Sequence, residues 1–202
     1  MIFLSDNDYI GEGEIRVCYQ HPHNKNVCVK VPKQAVSRAY TLKEIIYFKK
    51  LNNRRLKHHD YQFYSNFKGE IQTNKGLAQL FDLVRDEDTG NVSKTLEYYL
   101  IEDKSLPLEI LENALKSLKD QMYQHRVFLR DLRARNLCCK KNIDGSVQLV
   151  IIDGIGHRDF IPLADTFDYY TRKKIERIFN RRSFNSIIEQ KNYLNKKIKL
   201  KA

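Results

Sequence analysis

The run Phe128-Leu-Arg-Asp-Leu-Arg-Ala-Arg-Asn136, followed by the apolar stretch Leu149-Val-Ile-Ile152 ending at Asp153, constrains this chain more than any other feature. Asp131 and Asn136 share one polar loop. Asp153 stands where a buried strand gives out, so its carboxylate projects from a strand end. Phosphoryl transfer needs such a set: one carboxylate to orient a hydroxyl, and an amide with a second carboxylate to hold Mg²⁺ on ATP. Asp131 is the candidate catalytic base. Asn136 and Asp153 are the candidate metal ligands, because Mg²⁺ prefers hard oxygen donors. Arg133, two residues after Asp131, is placed to neutralise a transferring phosphoryl group. The same residues also fit a turn built from Asp and Asn caps with surface arginines.

Upstream residues extend the set. Gly11 and Gly13 lie between two strand-like segments, where a glycine hairpin brings backbone N–H groups against phosphates or simply makes a tight turn. Arg16 stands where a third glycine of such a loop would be, available to phosphate or to solvent. Lys30 sits inside the apolar strand Val27-Cys-Val-Lys-Val31. An ammonium group there needs a partner, because burying it unpaired is costly. Glu44, on the next helical segment, is the natural carboxylate, with ATP phosphates as the other partner. Two plainer readings stay open: Lys30 snorkelling to a sheet edge, and Thr41 with Glu44 as a capping box.

Spacing predicts strands within residues 7–19 and over 27–31, then a helix over 38–51 carried by Tyr40, Ile45, Phe48 and Leu51. Residues 52–68 are basic and aromatic without a clear period. Leu77 to Val84 and Thr95 to Ile101 read as two strands joined by the turn-rich Asp86-Glu-Asp-Thr-Gly-Asn91. Leu111, Leu115, Leu118 and Met122 form one helical stripe after Pro107. A hairpin is expected around Asn142-Ile-Asp-Gly145, and two basic amphipathic helices near 166–180 and 184–199. Five strands with one helix, then a mostly helical remainder, make an α+β pattern. The expected division is a first lobe over 1–102 and a second over 103–202, with a ligand cleft at the hinge.

The 202 residues, 42% hydrophobic and 11% aromatic, exclude a mainly disordered chain. No apolar run approaches the roughly 20 residues of a membrane span, and the opening residues do not read as a signal peptide. Cys18, Cys28, Cys138 and Cys139 form no Cys-x-x-Cys pair, which points to packed, reduced thiols in a cytoplasmic protein. His21, His23, His58 and His59 lack metal-ligand context, and His125 reads as a surface or satisfied histidine. Net charge is +11, and the segment from Arg172 holds eleven Lys or Arg against Glu176 and Glu189, a local +9. That segment, 172–202, is either a solvated helical face or a footprint for an anionic partner such as nucleic acid, a membrane surface or a phosphorylated glycolipid.

On Gly11-Glu-Gly13, Val29-Lys30, Glu44-Ile-Ile-Tyr-Phe48, Arg130-Asp-Leu-Arg-Ala-Arg-Asn136 and Ile152-Asp-Gly-Ile-Gly156, the chain resembles the protein-kinase-like superfamily. In detail it resembles the bacterial YrbL-like family, linked by name to the PhoP regulatory network, also through Phe160-Ile-Pro162 and Arg172-Lys-Lys-Ile-Glu-Arg177. The resemblance spans roughly 10–180. It implies a minimal bilobal protein-kinase-like fold: an N-terminal antiparallel sheet plus one helix, a reduced helical second lobe, and ATP with Mg²⁺ between them. Leu129 replaces the usual His before Arg-Asp, Asp153-Gly154 lacks an intervening Phe, and no Ala-Pro-Glu follows. A peptide-docking platform is therefore not expected. The expected activity is transfer of the ATP γ-phosphoryl group to a hydroxyl of a protein Ser/Thr, a saccharide or a lipid-linked glycan. The alternatives are a nucleotide-binding regulatory pseudokinase and a nucleic-acid-binding module using the basic helices, which would bind with steep salt dependence.

Overall fold

Three strands, Tyr9–Glu12 (β1), Arg16–His21 (β2) and Asn24–Pro32 (β3), form successive antiparallel pairs. Phe67–Thr73 (β4) and Gly76–Asp82 (β5) complete a five-stranded sheet of order β1-β2-β3-β5-β4. This computed structural model describes residues 1–33, 38–55, 63–156 and 167–200. Phe160-Ile-Pro162, His58 and His59 lie outside the described residues. The chain divides into two compact units, residues 1–61 with 65–85, and residues 62–64 with 86–202.

In the first unit, strand alternation sorts the side chains. Leu4, Tyr19, Val29, Val31 and Ala78 cluster together, and Ile2, Val17, Ile71 and Leu80 pack against them. The opposite face meets the helix Arg38–Arg55 (α1): the Phe48 ring packs edge-on to Phe81 at 5.4 Å. Being covered on both faces, β3 is buried continuously from Val27 to Val31, which is why that segment reads as an apolar run interrupted only by Lys30. Asn74, in the β4–β5 turn, ties the N-terminal segment down by bonding both backbone groups of Leu4.

The second unit opens with Leu96–Ile101 (α2) and Leu108–His125 (α3), then the strands Leu137–Lys141 (β6) and Val147–Ile151 (β7) as an antiparallel hairpin. It closes with Asp168–Asn180 (α4) and Ile187–Lys199 (α5). The α3 stripe is buried as its spacing requires: Leu111, Leu115, Leu118 and Met122 are at most 2% exposed. Each contributes about 1.5–3 kcal/mol relative to exposure. This helix packs on β7, α4 and α5. The basic helices are amphipathic: Ile175, Phe179, Ile187 and Leu194 are buried while Lys196, Lys197 and Lys199 face solvent. No helix among the described residues is long and apolar enough to cross a membrane.

Three expectations are corrected. Thr95 to Ile101 is not a strand: the Thr95 hydroxyl accepts from the Tyr98 N–H at 3.2 Å and starts α2, which buries Leu96, Tyr99 and Leu100. The turn before it does not return the chain to the sheet. Asp86 accepts from the Ser93 hydroxyl at 2.6 Å and from the Lys141 N–H at 3.1 Å, binding this segment to β6 instead. The fifth strand is β4, and the division between units falls at 85/86 rather than near 102. Nor is Thr41 a cap, since it lies within α1.

Candidate active site

In the first unit, one sheet face gathers the residues in question. Cys18, Lys30 and Gln79 are register partners across β2, β3 and β5. The Glu44 carboxylate from α1 receives Arg16 through both nitrogens, at 2.7 and 3.3 Å, and Arg16 also donates to Gln79 at 3.2 Å. Arg16 and Glu44 are 4% and 3% exposed. The buried Lys30 ammonium lies 4.3 Å above the centroid of Phe81, with the Arg16 guanidinium 5.9 Å from the same ring. Arg16 thus takes the carboxylate that the sequence assigns to Lys30, and takes it in bidentate geometry suited to a buried pair. Cys28 is buried on this face, and a hydrogen bond with Cys18 together with burial pushes its thiol well above the ordinary range. It stays protonated beside the two cations.

The β1–β2 turn closes with the Gly13 N–H donating to the Arg16 carbonyl at 2.8 Å. Neither Gly11 nor Gly13 has a left-handed backbone. A Cβ on Gly11 would meet nothing within 4 Å, and one on Gly13 only the Arg16 carbonyl at 3.9 Å. The fold of this unit requires neither glycine, so both leave open backbone.

In the second unit, α3 ends where Arg126 adopts φ 50° and Val127 donates to the Met122 carbonyl. Val127, Phe128 and Leu129 are buried and anchor the loop that follows. Leu132 and Ala134 are also buried, so Asp131 and Arg133, between and beside them, turn outward. The Asn136 amide donates to the Asp131 carbonyl at 3.2 Å, which fixes the side chain and leaves its oxygen as an acceptor. Beyond β7 the chain folds back on this loop: Leu129 bridges Ile155, Arg130 N–H donates to Gly154 O at 2.8 Å, and Gly156 N–H to Phe128 O at 2.9 Å. The unit therefore brings Asp131, Arg133, Asn136 and the Asp153-Gly154 step together. Asp153 accepts from the Gly154 N–H at 2.7 Å.

Gly154 makes this approach possible. Its φ is +79°, and a Cβ there would stand 2.8 Å from the Asp131 carbonyl and 3.4 Å from the Asn136 amide nitrogen. Gly145 has nearly the same φ, +80°, but open space around it. Gly145→Ala is expected to cost only the left-handed backbone, about 1–2 kcal/mol. Gly154→Ala adds a clash with backbone, for a total of about 2–4 kcal/mol. Denaturant unfolding of both variants decides this, and equal losses would contradict the close approach.

The Asp131 carboxylate is held by two guanidinium groups: Arg133 Nε on Oδ2, and Arg182 Nε on Oδ1 at 3.0 Å. Arg182 comes from the turn after α4, and its Nη1 donates to the Tyr193 hydroxyl at 3.4 Å. Arg130, Asp131, Arg133, Arg181, Arg182 and Tyr193 line a pocket of about 300 Å³. Arg182 and Tyr193 escape sequence reasoning, because 51 residues separate Asp131 from Arg182 and the only signal is the basic pair Arg181-Arg182 in a generally basic tail.

Comparison with known proteins gives the relationship. Two curated proteins, from Escherichia coli (strain K12) and Shigella flexneri and both named "Uncharacterized protein YrbL", are 29% identical over 184 residues, 90% of this chain and 86% of theirs. The profile of the family described as PhoP regulatory network protein YrbL matches residues 2–185. The chain belongs to that family.

Proposed function

We propose that this chain is an ATP-dependent kinase with a minimal bilobal protein-kinase-like fold, moving the γ-phosphoryl group of Mg·ATP to a hydroxyl acceptor. The observation that carries the reading is the approach of Gly154 to the Asp131 loop, which sets a carboxylate, an amide oxygen and a second carboxylate on one small piece of backbone. A turn made only of caps does not need a glycine there.

Asn136 and Asp153 carry hard oxygens of the kind Mg²⁺ takes, and these two residues would hold the ion. Held by them, Mg²⁺ supplies positive charge against the triphosphate. Asp131 accepts a hydrogen bond from the acceptor hydroxyl and takes its proton as the new P–O bond forms. The bond from the γ-phosphorus to its bridging oxygen breaks, and ADP leaves with the electron pair. Arg133, beside Asp131, offsets charge on the moving group. In the first unit, Lys30 is assigned to the α/β-phosphates. The Arg16–Glu44 pair holds the wall of that face, and the open backbone at Gly11 and Gly13 accommodates phosphate. The acceptor is a protein Ser/Thr, a saccharide or a lipid-linked glycan.

The test is titration calorimetry with Mg·ATP, paired with labelled ATP in a cell lysate. Wild type is expected to bind nucleotide, and Asp153→Ala to abolish Mg²⁺-dependent binding. Failure of wild type to bind would end this reading. A second reading, a nucleotide-binding regulator without turnover, draws on one observation: both oxygens of Asp131 are engaged by arginines. It shares the binding result but yields no label transfer.

A further inference from the structure

We propose that the pocket beside Asp131 seats the acceptor by an oxyanion, phosphate or carboxylate, that the acceptor already carries; this rests on the kinase reading above. Its described lining brings four guanidinium groups together, from Arg130, Arg133, Arg181 and Arg182, against the single carboxylate of Asp131. Guanidinium groups converging in one pocket favour a bound anion. The planar guanidinium matches the oxygens of phosphate or carboxylate two at a time.

The arginines are held by structure rather than left on a loose tail. Arg181 and Arg182 sit in the turn between α4 and α5, where Ser183 takes φ 57° and Phe184 is 1% exposed. The Phe184 N–H donates to the Phe179 carbonyl at 3.0 Å, and the Ile187 N–H to the Glu112 carboxylate at 2.7 Å. Tyr193 adds its hydroxyl from α5. All six described lining residues are polar, and about 300 Å³ admits an oxyanion with part of the molecule that bears it. An incoming oxyanion takes the Arg182 guanidinium that now holds Oδ1 of Asp131. That exchange frees the carboxylate for the acceptor hydroxyl.

The experiment titrates the full chain with inorganic phosphate, and separately with malonate, in the presence of saturating Mg²⁺ and a non-hydrolysable ATP analogue. Wild type is expected to bind at least one of the two anions, and binding to weaken by tenfold or more in the Arg181→Gln/Arg182→Gln double variant. Affinity for the nucleotide analogue stays unchanged in that variant. Preference between phosphate and malonate identifies the anionic group. Protection of Arg181 and Arg182 from phenylglyoxal by the same anions, read by mass spectrometry on wild type, gives the answer should the variant fail to fold. Anion binding that the nucleotide displaces, or that ignores both substitutions, overturns the proposal while the kinase reading stands. If no nucleotide binds, the kinase reading falls and the acceptor role of this pocket falls with it, even where the anions are still held.

Discussion

Asp131→Asn is expected to lower phosphoryl transfer by about 10²–10⁴ while Mg·ATP binding persists. Asparagine keeps the shape and one acceptor oxygen but has no carboxylate to receive the hydroxyl proton. The substitution also weakens the contacts to Arg133 and Arg182. Those groups are about a quarter exposed, so screening keeps their loss to about 1 kcal/mol or less each, and the protein remains folded. Single-turnover label transfer and nucleotide titration on the same preparation separate the outcomes. An undiminished rate would remove Asp131 from the chemistry. Loss of nucleotide binding along with the rate would make it a ligand-holding group instead.

Arg16→Met should be the most damaging single change in the first unit, at about 3–5 kcal/mol, because it leaves the Glu44 carboxylate buried without its bidentate partner. Glu44→Leu should cost a similar amount by stranding the guanidinium. Combined, Arg16→Met/Glu44→Leu puts two apolar side chains in place of the buried pair and recovers most of the loss. Chemical denaturation of the four proteins gives the coupling directly. A single-variant loss below about 1 kcal/mol would mean that the pair is not the closed contact described, and that Glu44 is available to Lys30.

Sequence legibility followed the length and regularity of each pattern. The α3 stripe repeats over about three turns and the β6–β7 hairpin carries its turn residues at Asn142-Ile-Asp-Gly145, so the existence and place of both are readable. Strand β4 alternates too, but Gly69 stands where an inward side chain would mark the period and the basic stretch before it masks the start. Thr95 to Ile101 is rich in Thr, Tyr and Ile, which favour strands. Burial of Leu96, Tyr99 and Leu100 on one helical face, with the Thr95 cap, overrides that preference. In the candidate site, the nearness of Asp131, Asn136 and the Asp153-Gly154 step is readable because a short loop and a strand end hold them. The partners of Glu44 and Asp131 were not. Arg16 and Lys30 are both cations of plausible reach in sequence, and only sheet register with α1 packing selects Arg16. Arg182 is delivered by a turn whose position depends on Phe184 and Glu112, contacts without any local spacing signal.

The lacing of Leu129 to Ile155, with the paired bonds at Arg130 and Gly156, has a dynamic corollary. Amide exchange at these two positions should proceed through one shared opening event rather than independently. The acids on either side of that lacing then travel as a single stiff fragment. Whatever breathing lets molecules in or out must leave their mutual spacing alone, and so has to be taken up elsewhere along the chain.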